Sequence, residues 1–177
     1  MRHVRVGVAG SRIWSRCLVV PWKVASGPWM AAYVRDGYEA FRQPKFERGC
    51  CEMLVSRVCG ARQNLYVFSL YHNPDLDDLI LDCSLTSMAA VQAEDVRASF
   101  LCVGNLNGHH QEWFDSTTTN RHGVAAFDFA TVSGCYQLVV GPTHARGGTL
   151  DLLMTDVPDL VGISVVAPKG NSDHSSL

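Results

Sequence analysis

The chain has 177 residues, 47% hydrophobic and 18% charged, with 15 Gly and 7 Pro, which is enough for one globular domain with a sizeable core. No apolar run approaches the roughly 20 residues of a membrane span, and Cys17 to Trp22 is too short, and too crowded by Arg12, Arg16 and Lys23, for a signal-peptide core. The net charge of −2 hides a split: residues 1–63 hold 11 Lys+Arg against 4 Asp+Glu (net +7), and residues 64–177 hold 4 against 13 (net −9), a pattern that suits a polyanion on one side and a divalent metal on the other if the fold keeps the halves apart.

Residues 1–28 contain no acid and read as a separate leader, with organellar targeting or a replacement strand as its candidate uses. From Trp29 the pattern is regular. Met30 to Val34, Cys51 to Val58 and Asn64 to Tyr71 read as strands. Asn73-Pro74 has the form of a helix start, and Leu76, Leu79, Ile80 and Cys83 follow at helical spacing, which predicts a helix to about Val91. Its Asp75, Asp78 and Asp82 read as a solvated face. Ala98 to Gly104 is a buried strand, Gly123 to Thr131 a shorter helix closed by Gly134, and Leu138 to Val140, Leu150 to Met154 and Val161 to Ala167 short strands. Strands outnumber the helices between them, so the expected class is α/β and layered.

Seven cysteines, at 17, 50, 51, 59, 83, 102 and 135, include no Cys-x-x-Cys pair. Neither a zinc knuckle nor a disulfide framework is signalled, and reduced, buried thiols of an intracellular protein, nuclear or cytoplasmic, are expected.

Chemistry-bearing residues gather at strand ends. Gly104-Asn105-Leu106-Asn107 follows one apolar run, Asp151 lies in another, and Asp173-His174 follows a third. Hydrolysis of a phosphodiester needs a nucleophile in line, neutralised phosphoryl charge and help for the leaving oxygen, and carboxylates holding a divalent cation with His and Asn around the phosphate supply these. Rigid strand ends place such groups well. Taken singly, each residue also reads as an ordinary turn or cap.

Four segments in order, Tyr71-His72-Asn73-Pro74, Gly104 to His110, Gly148 to Leu152 and Asn171 to His174, give the stretch from Trp29 to Leu177 a family likeness. It resembles the endonuclease domain of a non-LTR (LINE-type) retrotransposon, a branch of the endonuclease/exonuclease/phosphatase family. The resemblance implies two packed β-sheets flanked by helices and Mg²⁺-dependent cleavage of DNA, RNA or other phosphate esters. It implies that Tyr71 contacts the scissile phosphate, that Asn107 orients the phosphate or the water, that His174 meets the phosphoryl oxygens with its ring held by Asp151, and that Asp173 sits by the metal. An acidic partner for such a histidine also fits independently, because it fixes the tautomer.

Two departures stand out. The family's Gly-Asp-x-Asn appears with Asn105 in place of the aspartate that serves as base and metal ligand, and asparagine can neither take a proton nor add negative charge. The metal-binding glutamate expected early in the domain has no counterpart, since Asp36 is the first acid and Glu39 the first glutamate. The sheet is therefore expected to be incomplete at its N-terminus, with an edge that a protein partner or residues 1–28 would complete. A reverse transcriptase is expected downstream in a whole element, so the resemblance implies a fragment, a decayed copy or a copy put to another use.

Two functions follow: an endonuclease-like domain with impaired Mg²⁺-dependent hydrolysis of DNA, or an inactive nuclease fold serving as an interaction subunit or nucleic-acid binder. For binding, Arg35, Arg42 and Lys45, near Tyr33, Tyr38 and Phe41, are candidate phosphate-backbone contacts.

Overall fold

The computed structural model describes residues 38–49, 51–73, 79–113, 118–144 and 148–161, with the backbone of 17–18 and 32–33. A six-stranded sheet runs in the order β3 (Ala40–Arg42), β4 (Met53–Val58), β5 (Leu65–Tyr71), β6 (Ser99–Asn105), β8 (Asp151–Thr155) and β7 (Tyr136–Gln137). Its neighbours are antiparallel except β5 and β6, which run parallel because α1 (Leu79–Glu94) lies between them in the chain. α2 (Arg121–Ser133) separates β6 from β7 and packs against α1. This is the α/β class expected. A two-stranded ladder joins β1 (Cys17–Leu18), inside the expected leader, to β2 (Ala32–Tyr33).

Side chains alternate between the faces of each strand, and both faces are apolar. On one, Met53, Phe68, Leu70, Phe100, Cys102 and Leu152 meet Ile80, Met88 and Val91 of α1 and Ala126 and Phe129 of α2. On the other, Val58, Val67, Leu101, Val103, Val139 and Leu153 form a second buried cluster. Burial on both sides explains why β5, β6 and β8 read as continuous apolar runs.

The expected elements hold with adjusted ends. α1 runs three residues past Val91, while its expected start at Asn73-Pro74 lies largely outside the described residues. Its Asp82 is exposed, as a solvated face requires. α2 begins after Asn120, whose side chain accepts the Gly123 N–H, and ends at Gly134 in the left-handed conformation. The strand expected at Leu138 to Val140 is a correction: the ladder is at Tyr136–Gln137. Beyond it, the Leu138 N–H still donates to the Leu153 carbonyl at 2.9 Å, and the Gln137 amide then bonds both the N–H and the carbonyl of Val139. The strand expected at Val161 to Ala167 lies almost wholly outside the described residues.

Cys51, Cys102 and Cys135 are buried, and no disulfide joins the described cysteines to one another. Burial pushes the Cys102 and Cys135 thiols up, which keeps them protonated and unreactive. Among the described residues no helix is long and apolar enough to cross a membrane.

Gly104 is fixed by backbone contact. It sits opposite Leu70 with φ 153°, and a Cβ there would lie 1.7 Å from the Leu70 carbonyl oxygen. Gly104→Ala should therefore lower unfolding free energy by more than about 2 kcal/mol, read from urea denaturation, since strain and clash add.

Candidate active site

Register across the sheet assembles the site. The last pair of β5 and β6 is Tyr71↔Asn105, and the last pair of β6 and β8 is Asn105↔Asp151. Tyr71, Asn105 and Asp151 thus form one row across three neighbouring strands. Alternation from Val67, Leu101 and Leu153 places all three on the face away from the helices. The row continues into β4: the Tyr71 N–H donates to the Glu52 carbonyl at 3.0 Å, and the Met53↔Leu70 pairing puts Glu52 opposite Tyr71.

Beyond the row the chain turns sharply and the turn is cross-braced. The Asn105 side-chain Oδ1 accepts the Asn107 N–H at 3.0 Å, and Asn107 takes a left-handed φ of 50°, which asparagine tolerates. The His72 N–H donates to the Asn105 carbonyl at 2.9 Å, and Asn107 Nδ2 donates back to the His72 carbonyl at 2.8 Å. His72 is buried with its ring 4.5 Å from that of His122 on α2. Asn120 closes the network: its Nδ2 donates to the Asn107 carbonyl at 3.1 Å while its Oδ1 accepts the N–H groups of His109 at 3.0 Å and Gly123 at 2.7 Å. Gly123 permits this approach, because a Cβ there would lie 1.7 Å from the His109 carbonyl oxygen. One residue therefore ends the motif loop and starts α2.

Asp151 is held from the other side. It is 9% exposed, and the Oγ1 of the fully buried Thr143 accepts the N–H groups of Leu150 and Asp151, each at 2.9 Å. The Thr149 hydroxyl donates to the Gly141 carbonyl at 2.9 Å, and the Leu106 N–H donates to the Leu150 carbonyl at 3.0 Å, so the segment before β8 is tied to itself and to the motif loop.

No family model matches the sequence, and no curated protein matches it. Among solved structures, the endonuclease domain of TRAS1, a telomere-specific non-LTR retrotransposon, matches with a TM-score of 0.63 and 18% identity, over 84% of this chain and 70% of that one. The chain has the fold of a retrotransposon endonuclease domain. At this identity the likeness concerns the fold, and what the site does must be argued from its own residues.

Of the residues expected at the site, the endonuclease-like fold brings Tyr71, Asn105, Asn107 and Asp151 together. Asp173, His174 and Arg35 lie outside the described residues. Arg42 and Lys45 are not brought to the row. Arg42 binds Glu47 with Nη2–Oε2 at 2.6 Å and Nε–Oε1 at 2.9 Å, and Glu47 also accepts the Val55 N–H at 3.1 Å, so this pair braces the turn after β3. Lys45 pairs with Glu94 at the end of α1 and lies 4.8 Å over the Phe46 ring. His110 stacks on Phe127 at 4.2 Å between ring centroids, with Trp113 beside both.

For a divalent cation, the carboxylates of the row, Glu52 and Asp151, supply oxygen donors, which suit Mg²⁺ or Mn²⁺ rather than a soft metal. Among the described residues no three His, Cys, Asp or Glu side chains cluster closely enough to cage an ion. The structural observation that fits a cation is at Glu52, whose Oε2 is buried and makes no hydrogen bond.

Sequence reasoning missed Thr143, Asn120 as a brace, and Glu52. An asparagine just before a helix was a visible signal for Asn120, whereas Thr143 and Glu52 depend on pairing that no local pattern announces. Asn120→Ala should cost about 2 kcal/mol in urea denaturation, the upper range for a lost cap, and Asn120→Asp, which keeps the capping oxygen, clearly less.

Proposed function

We propose that this chain is a retrotransposon-endonuclease-derived domain that holds a phosphodiester backbone at the row Tyr71–Asn105–Asp151 but hydrolyses it poorly. The observation that carries this reading is the orientation of Asn105. Its Oδ1 is engaged by the Asn107 N–H, so the other end of the amide presents N–H donors. An aspartate there would have a second oxygen to accept a proton from water. The asparagine can donate to a phosphoryl oxygen but cannot act as base. Phosphate contact survives such an exchange, whereas proton transfer does not, and losing a general base costs about two to four orders of magnitude in rate.

Mg²⁺ remains the cofactor by resemblance, and when bound it would neutralise charge on the phosphoryl oxygens. The chain's own contributions are separate from it: Tyr71 at the end of β5 contacts the phosphate, the braced loop fixes Asn105 and Asn107, and Asp151, held by Thr143, acts on the histidine expected at 174. The substrate class is nucleic acid, with DNA the first candidate. Backbone binding of this kind is charge-driven and should weaken steeply with salt.

Nicking of supercoiled plasmid in Mg²⁺ and in Mn²⁺ tests the reading. The wild-type chain is expected to nick no faster than a His174→Ala control, and Asn105→Asp to nick about a hundredfold faster or more. Wild-type nicking equal to that of Asn105→Asp, and abolished in the control, would overturn it.

A further inference from the structure

Glu52 lies at the β4 end of the site row. Its backbone is paired with Tyr71, and it lies on the same face as Tyr71, Asn105 and Asp151, since Met53 next to it belongs to the helix-facing core. A glutamate in such a place would ordinarily have a cationic partner or face water. Glu52 has neither arrangement at Oε2, which is buried without a hydrogen bond. Burial alone raises its carboxyl from the ordinary glutamate value, and no cation counters it. On the turn before β4, Arg42 and Lys45 are paired with Glu47 and Glu94, and Arg48, the cation nearest in sequence, has a buried Nε that makes no hydrogen bond and so does not reach Glu52 through it. A carboxylate left in this state contributes no stability to the fold, and a ligand that brings positive charge would satisfy its orphaned oxygen.

We propose that Glu52 is a cation-holding carboxylate of this site, binding Mg²⁺ or Mn²⁺ beside Tyr71 and compensating in part for the charge lost at Asn105. The inference rests on the reading of the row as a phosphate site. It adds that phosphate is held through a cation anchored on β4. Strand spacing of about 4.8 Å places the Glu52 backbone one strand from Tyr71 and two from Asn105, so an ion held by Glu52 lies at the phosphate's edge of the row. Mg²⁺ suits the arrangement because it keeps several of its waters and needs only one or two carboxylates, with substrate phosphate completing its shell. A soft metal would want thiolate or imidazole donors, which this row does not supply.

The test measures binding and not cleavage, so it stands or falls separately from the nicking experiment. The full chain is titrated with Mn²⁺ alone, followed by the loss of free-ion electron paramagnetic resonance signal, and its melting temperature is read in EDTA and in millimolar Mn²⁺. Wild type should bind Mn²⁺ and melt higher in its presence, as any ligand of the native state requires. Glu52→Gln should weaken Mn²⁺ binding at least tenfold and abolish the melting shift, while melting in EDTA at a temperature equal to or above wild type. Asp128→Asn, on the exposed side of α2, should change none of these. Mn²⁺ affinity and melting shift unchanged in Glu52→Gln, or equally reduced in Asp128→Asn, would overturn the proposal. Mn²⁺ binding by Glu52 in a chain that nicks plasmid freely would leave the proposal standing and remove the impaired-hydrolysis reading alone.

Discussion

The parallel pairing of β5 with β6, from Leu65↔Ser99 to Tyr71↔Asn105, is the constraint on which the site depends. Parallel strands need a crossover, and α1 supplies it while covering one face of the sheet. Because both strands are buried on two sides, a slip of one residue would exchange every apolar side chain between two differently shaped cores, so the register is held by many contacts at once. Tyr71 and Asn105 come level as a consequence, and the antiparallel β8 brings Asp151 to the same row. Gly104 belongs to this same constraint, since only a residue without Cβ lets β6 pass the Leu70 carbonyl.

Chemistry and support are divided between different residues here. Asn107 and Asn120 are occupied with backbone groups of His72, His109 and Gly123, and Thr143 with those of Leu150 and Asp151. Their bonds hold the turn and the start of β8 whether or not anything is bound. Asn105 makes a turn-bracing bond to the Asn107 N–H that an aspartate at this position could make as well, so the turn itself does not require the amide. The network holds the ends of β5, β6 and β8 in one arrangement before any ligand arrives.

Much of this was legible in the sequence. Long apolar runs announced β5, β6 and β8, and Gly134 closed α2 in the expected way. The contiguous motifs around Tyr71, Asn105 and Asp151 pointed to one place, and pairing does bring them there. Residues whose meaning comes from pairing were not legible. Glu52 sits in an unremarked Cys-Cys-Glu stretch and gains significance only because β4 lies beside β5. The ion pairs of Arg42 and Lys45 were not legible either, because their partners, Glu47 and Glu94, are set by the turn after β3 and by the end of α1. Leu138 to Val140 looked like a strand because hydropathy does not show the Gln137 side chain competing for Val139.

The central claim is that the row at the ends of β5, β6 and β8 holds a phosphodiester that it does not readily cut. A crystal structure of the chain with a short DNA duplex, grown in Mn²⁺ and examined for its anomalous signal, addresses this directly. An intact backbone with one phosphate against Tyr71 and Asn105 is the expected result. DNA bound on another face, or cleaved ends at the row after brief exposure to Mn²⁺, would contradict the account.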